Sequence, residues 1–143
     1  MPTSVRPYRL GDEDAIRQLA EQLGYPSTFD DVTERLATIA GDTRSVVLVC
    51  ELDGDVVGWI HVARVHNVQD GTFAEITGAV VADQHRGVGI GEQLLDTAEA
   101  WAVEQACETV RVRSNIVRAR AHGFYRDRGY RVEKEQAVFI KGL

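Results

Sequence analysis

In the first third of the chain, apolar residues recur at three- and four-residue spacing. Ala15, Ile16, Leu19, Ala20 and Leu23 form one such set, and Val32, Leu36 and Ile39 a second. That period belongs to helices with one buried face. It predicts a helix over 12–23, stopped by Gly24 with Pro26 just beyond it. A second helix is predicted to open at Thr28, which has the spacing of a capping pair with Asp31, and to stop at Gly41. A short strand over 5–10 precedes both. From Ser45 the period shortens. Residues 45–52 are β-branched and apolar, Asp53-Gly54-Asp55 is a hairpin signal, and 56–65 is the return strand. After a polar stretch, 66–71, a third strand runs over 72–82. Gly78 interrupts it, and glycine inside a strand marks a bulge or a close backbone approach.

The second half alternates again. A glycine-rich stretch from Arg86 to Gly91 leads into a helix over 89–106, with Ile90, Leu94, Leu95, Ala98, Trp101 and Ala102 on its apolar face. A strand over 109–114, a helix over 118–128 closed by Gly129, and two short strands over 130–132 and 136–140 complete the reading. The order β-α-α-β-β-β-α-β-α-β-β defines a mixed α/β (α+β) class. No repeat, low-complexity tract or linker divides it, so residues 1–143 are expected to form one domain.

Composition narrows the function more than the fold. The apolar fraction of 44% and charged fraction of 27% are those of an ordinary globular protein. No apolar run is long enough to span a bilayer, and the first residues lack the apolar core of a secretory signal, so the expected address is cytoplasmic. The net charge of −6 argues against nucleic-acid binding and suits a cationic small-molecule partner. Cys50 and Cys107 are too few and too far apart for a metal site or a disulfide framework, and read as reduced, partly buried thiols. His61, His66, His85 and His122 share no metal-ligand spacing, so no metal is expected.

The chemistry concentrates in residues 80–95, where a strand runs into a glycine-rich turn that opens a helix. A helix N-terminus offers unpaired N–H groups and a positive dipole end, and glycines let phosphates approach them. The Walker loop needs Gly-Lys-Ser/Thr, but Glu92 follows Gly91 here. The dinucleotide fingerprint fails as well, because the glycines fall at 87, 89 and 91. The spacing that fits is Arg/Gln-x-x-Gly-x-Gly/Ala, met by Arg86, Gly89 and Gly91.

That run resembles the pyrophosphate loop of the GNAT superfamily of N-acetyltransferases, and the order of elements resembles the family's over nearly the whole chain. Two further segments share the likeness. Phe73-Ala-Glu-Ile76 is similar to a strand that carries a general base in histone-acetylating members. Asn115 to Tyr130 resembles a segment in which an Asn follows a strand and a helix carries a Tyr near the CoA sulfur.

The resemblance implies a central twisted, mixed but mostly antiparallel sheet with helices on both faces. It also implies a bulge in the third meander strand that splays it from the next, with the pantetheine arm in the gap. Acetyl-CoA would be the acyl donor. Ala79, Val80, Val81, Arg86, Gly87, Val88, Gly89, Ile90, Gly91, Asn115, Arg120 and His122 would bind it, with Arg118 a further candidate for its 3′-phosphate. Glu75 would be the general base and Tyr125 the general acid. An even spacing would put Glu75 on the face of Ala79 in an unbulged strand.

The implied activity is transfer of an acyl group to a primary amine by direct attack in a ternary complex. Tyr25, Phe29, His66 and Asp70 are candidate walls for the amine. Aminoglycosides, polyamines, amino acids and protein amines all stay open, as does a homodimer. A non-catalytic acyl-CoA sensor would need neither Glu75 nor Tyr125. A doubly wound nucleotide-binding enzyme would need a different glycine spacing.

Overall fold

The structure is a computed structural model that describes residues 2–114 and 119–143. The chain divides into two compact units, one through Val112 and one from Arg113 onward. In the first, strand β1 (Thr3–Pro7) is followed by helices α1 (Glu13–Gln22) and α2 (Phe29–Ala40). Strands β2 (Ser45–Leu52), β3 (Asp55–Asn67) and β4 (Gly71–Val81) then form a meander. A single 3₁₀ turn (Asp83–His85), helix α3 (Ile90–Glu104) and strand β5 (Val110–Val112) complete it. The second unit holds helix α4 (Ala119–Asp127).

Punctuation works locally as the sequence suggests. The Thr28 hydroxyl accepts the Asp31 N–H at 3.1 Å and caps α2. Gly24, at φ +99°, ends α1 while Tyr25 N–H donates to the Ala20 carbonyl and Gly24 N–H to that of Glu21. Gly129 ends α4 in the same way, at φ +91°.

The five strands lie in the order β1-β2-β3-β4-β5, antiparallel except for β4 and β5. Successive residues of β3 show which helices cover which face. A Cβ on Gly58 would stand 3.1 Å from Leu94 and 3.3 Å from Ile90, so α3 packs there. The next residue, Trp59, packs with Ile16, Val32, Leu36, Val47 and Val49, so α1 and α2 cover the opposite face. Helices therefore lie on both faces of the sheet, and α3 buries Ile90, Leu94, Leu95, Ala98 and Ala102.

An ionic network braces the start of α1. The Arg6 guanidinium donates to both oxygens of buried Asp12, at 2.8 and 3.0 Å, and to Glu51 at 2.8 Å. Arg9 N–H also donates to Asp12, at 2.9 Å. Burial raises the Asp12 carboxyl, but the hydrogen bonds from Arg6 and Arg9 outweigh it and hold the group below the usual range.

Three expectations are corrected. The opening strand lies at Thr3–Pro7 rather than over 5–10, because its register is set by pairing Val5 with Cys50. Residues 130–132 and 136–140 form no strands. A strand exists by pairing, and residues 131–143 are exposed and without a ladder. β5 is also shorter than expected, and its Arg111 is engaged by neighbouring side chains. Arg111 lies 4.1 Å over the Phe73 ring and donates to Asp70 at 3.0 Å.

Candidate active site

Strand β4 is built in two halves. From Gly71 to Ile76 it pairs with β3, and Ala74, Glu75 and Ile76 also pair with Val110, Arg111 and Val112 of β5. Then the register slips. Ile76 stands opposite Val62 but Gly78 opposite His61, so Thr77 is an extra residue, a bulge. Among the described residues, pairing with β5 ends at Ile76, and the edge of β4 from Thr77 to Val81 is left without a ladder partner on that side. A bulge in this strand was expected beside Gly78, and the extra residue is its neighbour Thr77.

The bulge also corrects the face of Glu75. Glu75 lies opposite Ala63, on the face that Trp59 and His61 share. Past the extra residue, Gly78 and Val80 take that face, opposite His61 and Trp59, and Ala79 turns to the other, opposite Ile60. Glu75 is half-buried, and its cross-strand neighbours Ala63 and His61 line a cavity of about 310 Å³ together with Ser45 and Arg44.

The open edge leads into the start of α3. Gly87 and Gly89 take φ of +81° and +87°, and a Cβ on either would meet nothing within 4 Å. Gly89 is the N-cap of α3 and has no side chain to turn back on the helix. Gln93 N–H bonds to the Gly89 carbonyl, and the N-cap makes no side-chain bond to the turn before it. Ile90 anchors the turn at 1% exposure, while Val88 stands out at 68%. Arg86 is held beside the loop by Asp83 at 2.8 Å. A left-handed, uncovered backbone at a helix N-terminus suits a pyrophosphate.

In the second unit, Tyr125 packs edge-on against Phe124 and Tyr130, with ring centroids 5.3 and 5.7 Å apart. Burial pushes its phenol above the ordinary value, so it holds its proton. His122 and Arg120 share α4 with it, while Asn115 and Arg118 lie outside the described residues.

The candidate amine walls are dispersed. Tyr25 and Phe29 are 63% and 49% exposed where α1 gives way to α2. Asp70 is engaged by Arg111, and His66 by Thr72 at 2.6 Å and Arg64 at 3.1 Å. Cys50 is fully buried, and burial pushes its thiol up, against a nucleophilic role.

Sequence reading missed Gly58, His61 and Thr77. Gly58 could have been found as a second glycine inside a strand. The other two matter only through the cross-strand register.

The acetyltransferase (GNAT) family model matches residues 13–130, and the chain belongs to that family. It is accordingly an enzyme of the acyltransferase class. The chain is 28% identical over 121 residues to an aminoglycoside N(6')-acetyltransferase type 1 from Stenotrophomonas maltophilia, covering 82% of this chain and 78% of the relative. It is 38% identical over 80 residues to an aminoalkylphosphonate N-acetyltransferase from Salmonella typhimurium, covering 55% and 52%. The structure of AAC(6')-Iy in complex with a bisubstrate analog, CoA-S-monomethyl-acetylneamine, superposes with a TM-score of 0.89 at 15% identity over 100% of both chains. That likeness is one of fold. Among the described residues no cluster could hold a metal ion, and no helix is long and apolar enough to cross a membrane.

Proposed function

We propose that the protein transfers an acetyl group from acetyl-CoA to the primary amine of a small molecule. The observation that carries this reading is the continuity of β4. One strand holds a half-buried carboxylate at Glu75, then a bulge, then an edge without a ladder partner among the described residues that runs into the open glycine turn of α3. An extended pantetheine arm would pair with the edge, and its pyrophosphate would take the N–H groups at Gly87 to Gly91.

An alkylammonium, with a pKa of about 10.4, must lose a proton before it can attack. Glu75 takes that proton. The amine lone pair then forms a bond to the acetyl carbon while the carbon–sulfur pair leaves with sulfur. Backbone N–H groups near Ala79 to Val81 would hold the carbonyl oxygen as charge develops on it. Tyr125 gives its phenolic proton to the thiolate, and the new amide nitrogen sheds one further proton, which makes up for it. A thiol of pKa about 8.5 leaves without great need of an acid, so Tyr125 helps more than it decides. A small cationic amine is the preferred acceptor because the chain carries a net charge of −6.

The test is titration with acetyl-CoA, then an amine screen read by thiol release. Glu75→Gln is expected to keep acetyl-CoA affinity and lose about 10²–10⁴-fold in kcat/KM for the amine. Absence of acetyl-CoA binding, or full activity in Glu75→Gln, would sink the reading.

A further inference from the structure

A bulged residue has no partner across the ladder, so the sheet alone does not set its backbone. Thr77 is that residue, and its side chain supplies what the ladder lacks. Its Oγ1 lies 2.7 Å from Nδ1 of His61 and 3.5 Å from the His61 carbonyl oxygen. A hydroxyl has one proton to give. The short contact is either the hydroxyl donating to Nδ1 or Nδ1–H donating to Oγ1, and the buried Nε2, without a hydrogen-bond partner among the described residues, favours the second. The ring proton is then on Nδ1, and Nε2 carries a lone pair.

Nε2 is buried and has no hydrogen-bond partner among the described residues. A protonated ring would leave an unsatisfied N–H there, at a cost. Burial accordingly lowers the proton affinity of His61 and keeps the ring neutral. The neighbouring bulge residue is clamped from its side chain's direction. A Cβ on Gly78 would stand 3.0 and 3.1 Å from the Trp59 ring. The first bulge residue is thus tied by a hydroxyl, and the second is covered by an indole.

We propose that Thr77 and His61 form a latch that fixes the β4 bulge and so orients the backbone of Ala79 to Val81. Both are positioning residues for acyl transfer, and this role rests on the function proposed above. A rotation at the bulge would turn every N–H beyond it relative to the thioester carbonyl. Orientation of that kind shows in turnover rather than in cofactor affinity.

The test compares Thr77→Val, which keeps the branched shape and removes the hydroxyl, with Thr77→Ser, which keeps the hydroxyl. The valine variant is expected to lose about ten- to a hundredfold in kcat with KM for acetyl-CoA unchanged. The serine variant should recover most of the rate, with both melting at the wild-type temperature. Full kcat in Thr77→Val, or a loss that only follows its folded fraction, overturns the latch.

A readout without turnover separates this proposal from the reaction it serves. ¹⁵N spectra of the wild-type protein should show a neutral His61 whose Nδ1 signal moves in Thr77→Val and not in Thr77→Ser, and an unmoved Nδ1 signal overturns the geometry. Amides of Gly78 to Val81 should exchange faster in Thr77→Val and not in Thr77→Ser; equal exchange overturns it. If the wild-type protein neither binds acetyl-CoA nor releases thiol, the acyl-transfer reading fails while these two measurements still decide the latch.

Discussion

Helices α2 and α3 begin in opposite ways. At α2, Thr28 turns its hydroxyl onto the Asp31 N–H, and Asp30 and Asp31 supply negative charge to the first turn. That end answers its own donors. At α3 the cap is Gly89, in a left-handed conformation, with open space where a side chain would be. The α1 start has no side-chain cap either: Asp12 is turned to Arg6 and Arg9, and the Glu13 carboxylate accepts the Gly11 N–H at 2.7 Å, but its N-cap is a right-handed aspartate rather than an open glycine. A capped helix start contributes to stability, and an uncapped one is available to a ligand. Among α1, α2 and α3, only α3 opens on a left-handed glycine with open space around it.

The contrast is broken most severely by closing the α3 start. Gly89→Val is expected to weaken acetyl-CoA binding about a hundredfold, or about 2.7 kcal/mol. Gly24→Val is the control, because Gly24 has φ +99° and the same open surroundings but ends a helix. It should cost similar stability and leave acetyl-CoA titrations unchanged. Equal affinity losses in both would mean that strain, not a blocked site, is responsible.

A smaller effect is expected at α1. Asp12→Asn removes the charge that faces Arg6 and should cost about 2 kcal/mol in denaturant unfolding. The pH dependence follows from the depressed carboxyls. Asp12 and Glu51 are both held low, Glu51 chiefly by its bond to Arg6. Their stabilisation is full above their unfolded values, near pH 4, and is lost as pH falls through the lower folded values. Melting temperature should therefore fall more steeply with acid in the wild type than in Asp12→Asn; parallel curves would refute the linkage.

The smallest effect belongs to α2. Thr28→Ala should cost about 1 kcal/mol and leave acetyl-CoA binding untouched. A change in affinity there would erase the distinction between the two kinds of helix start.

Much of this was legible beforehand. Gly24, Gly41 and Gly129 stop their helices where expected, and β2 falls on the residues whose β-branched run predicts it. Arg86 to Gly91 is readable because its donors are backbone groups, and glycine spacing alone makes room for them. The terminal strands were misread because Val138 and Ile140 have the alternation of a strand without a ladder. The strand over 109–114 was legible, but only the fold put Arg111 over Phe73.

By itself, then, the chain's order of periods determined its elements, and its glycines determined where helices start and stop. These are local properties, carried by neighbours within one or two turns. Tertiary structure alone decided that Thr77, rather than Gly78, is the extra residue, that Glu75 therefore shares a face with Gly78 and not Ala79, and that among the described residues β5 pairs with β4 only from Ala74 to Ile76. Register is a relation between residues far apart in the chain, and a slip of one position exchanges the faces of everything beyond it.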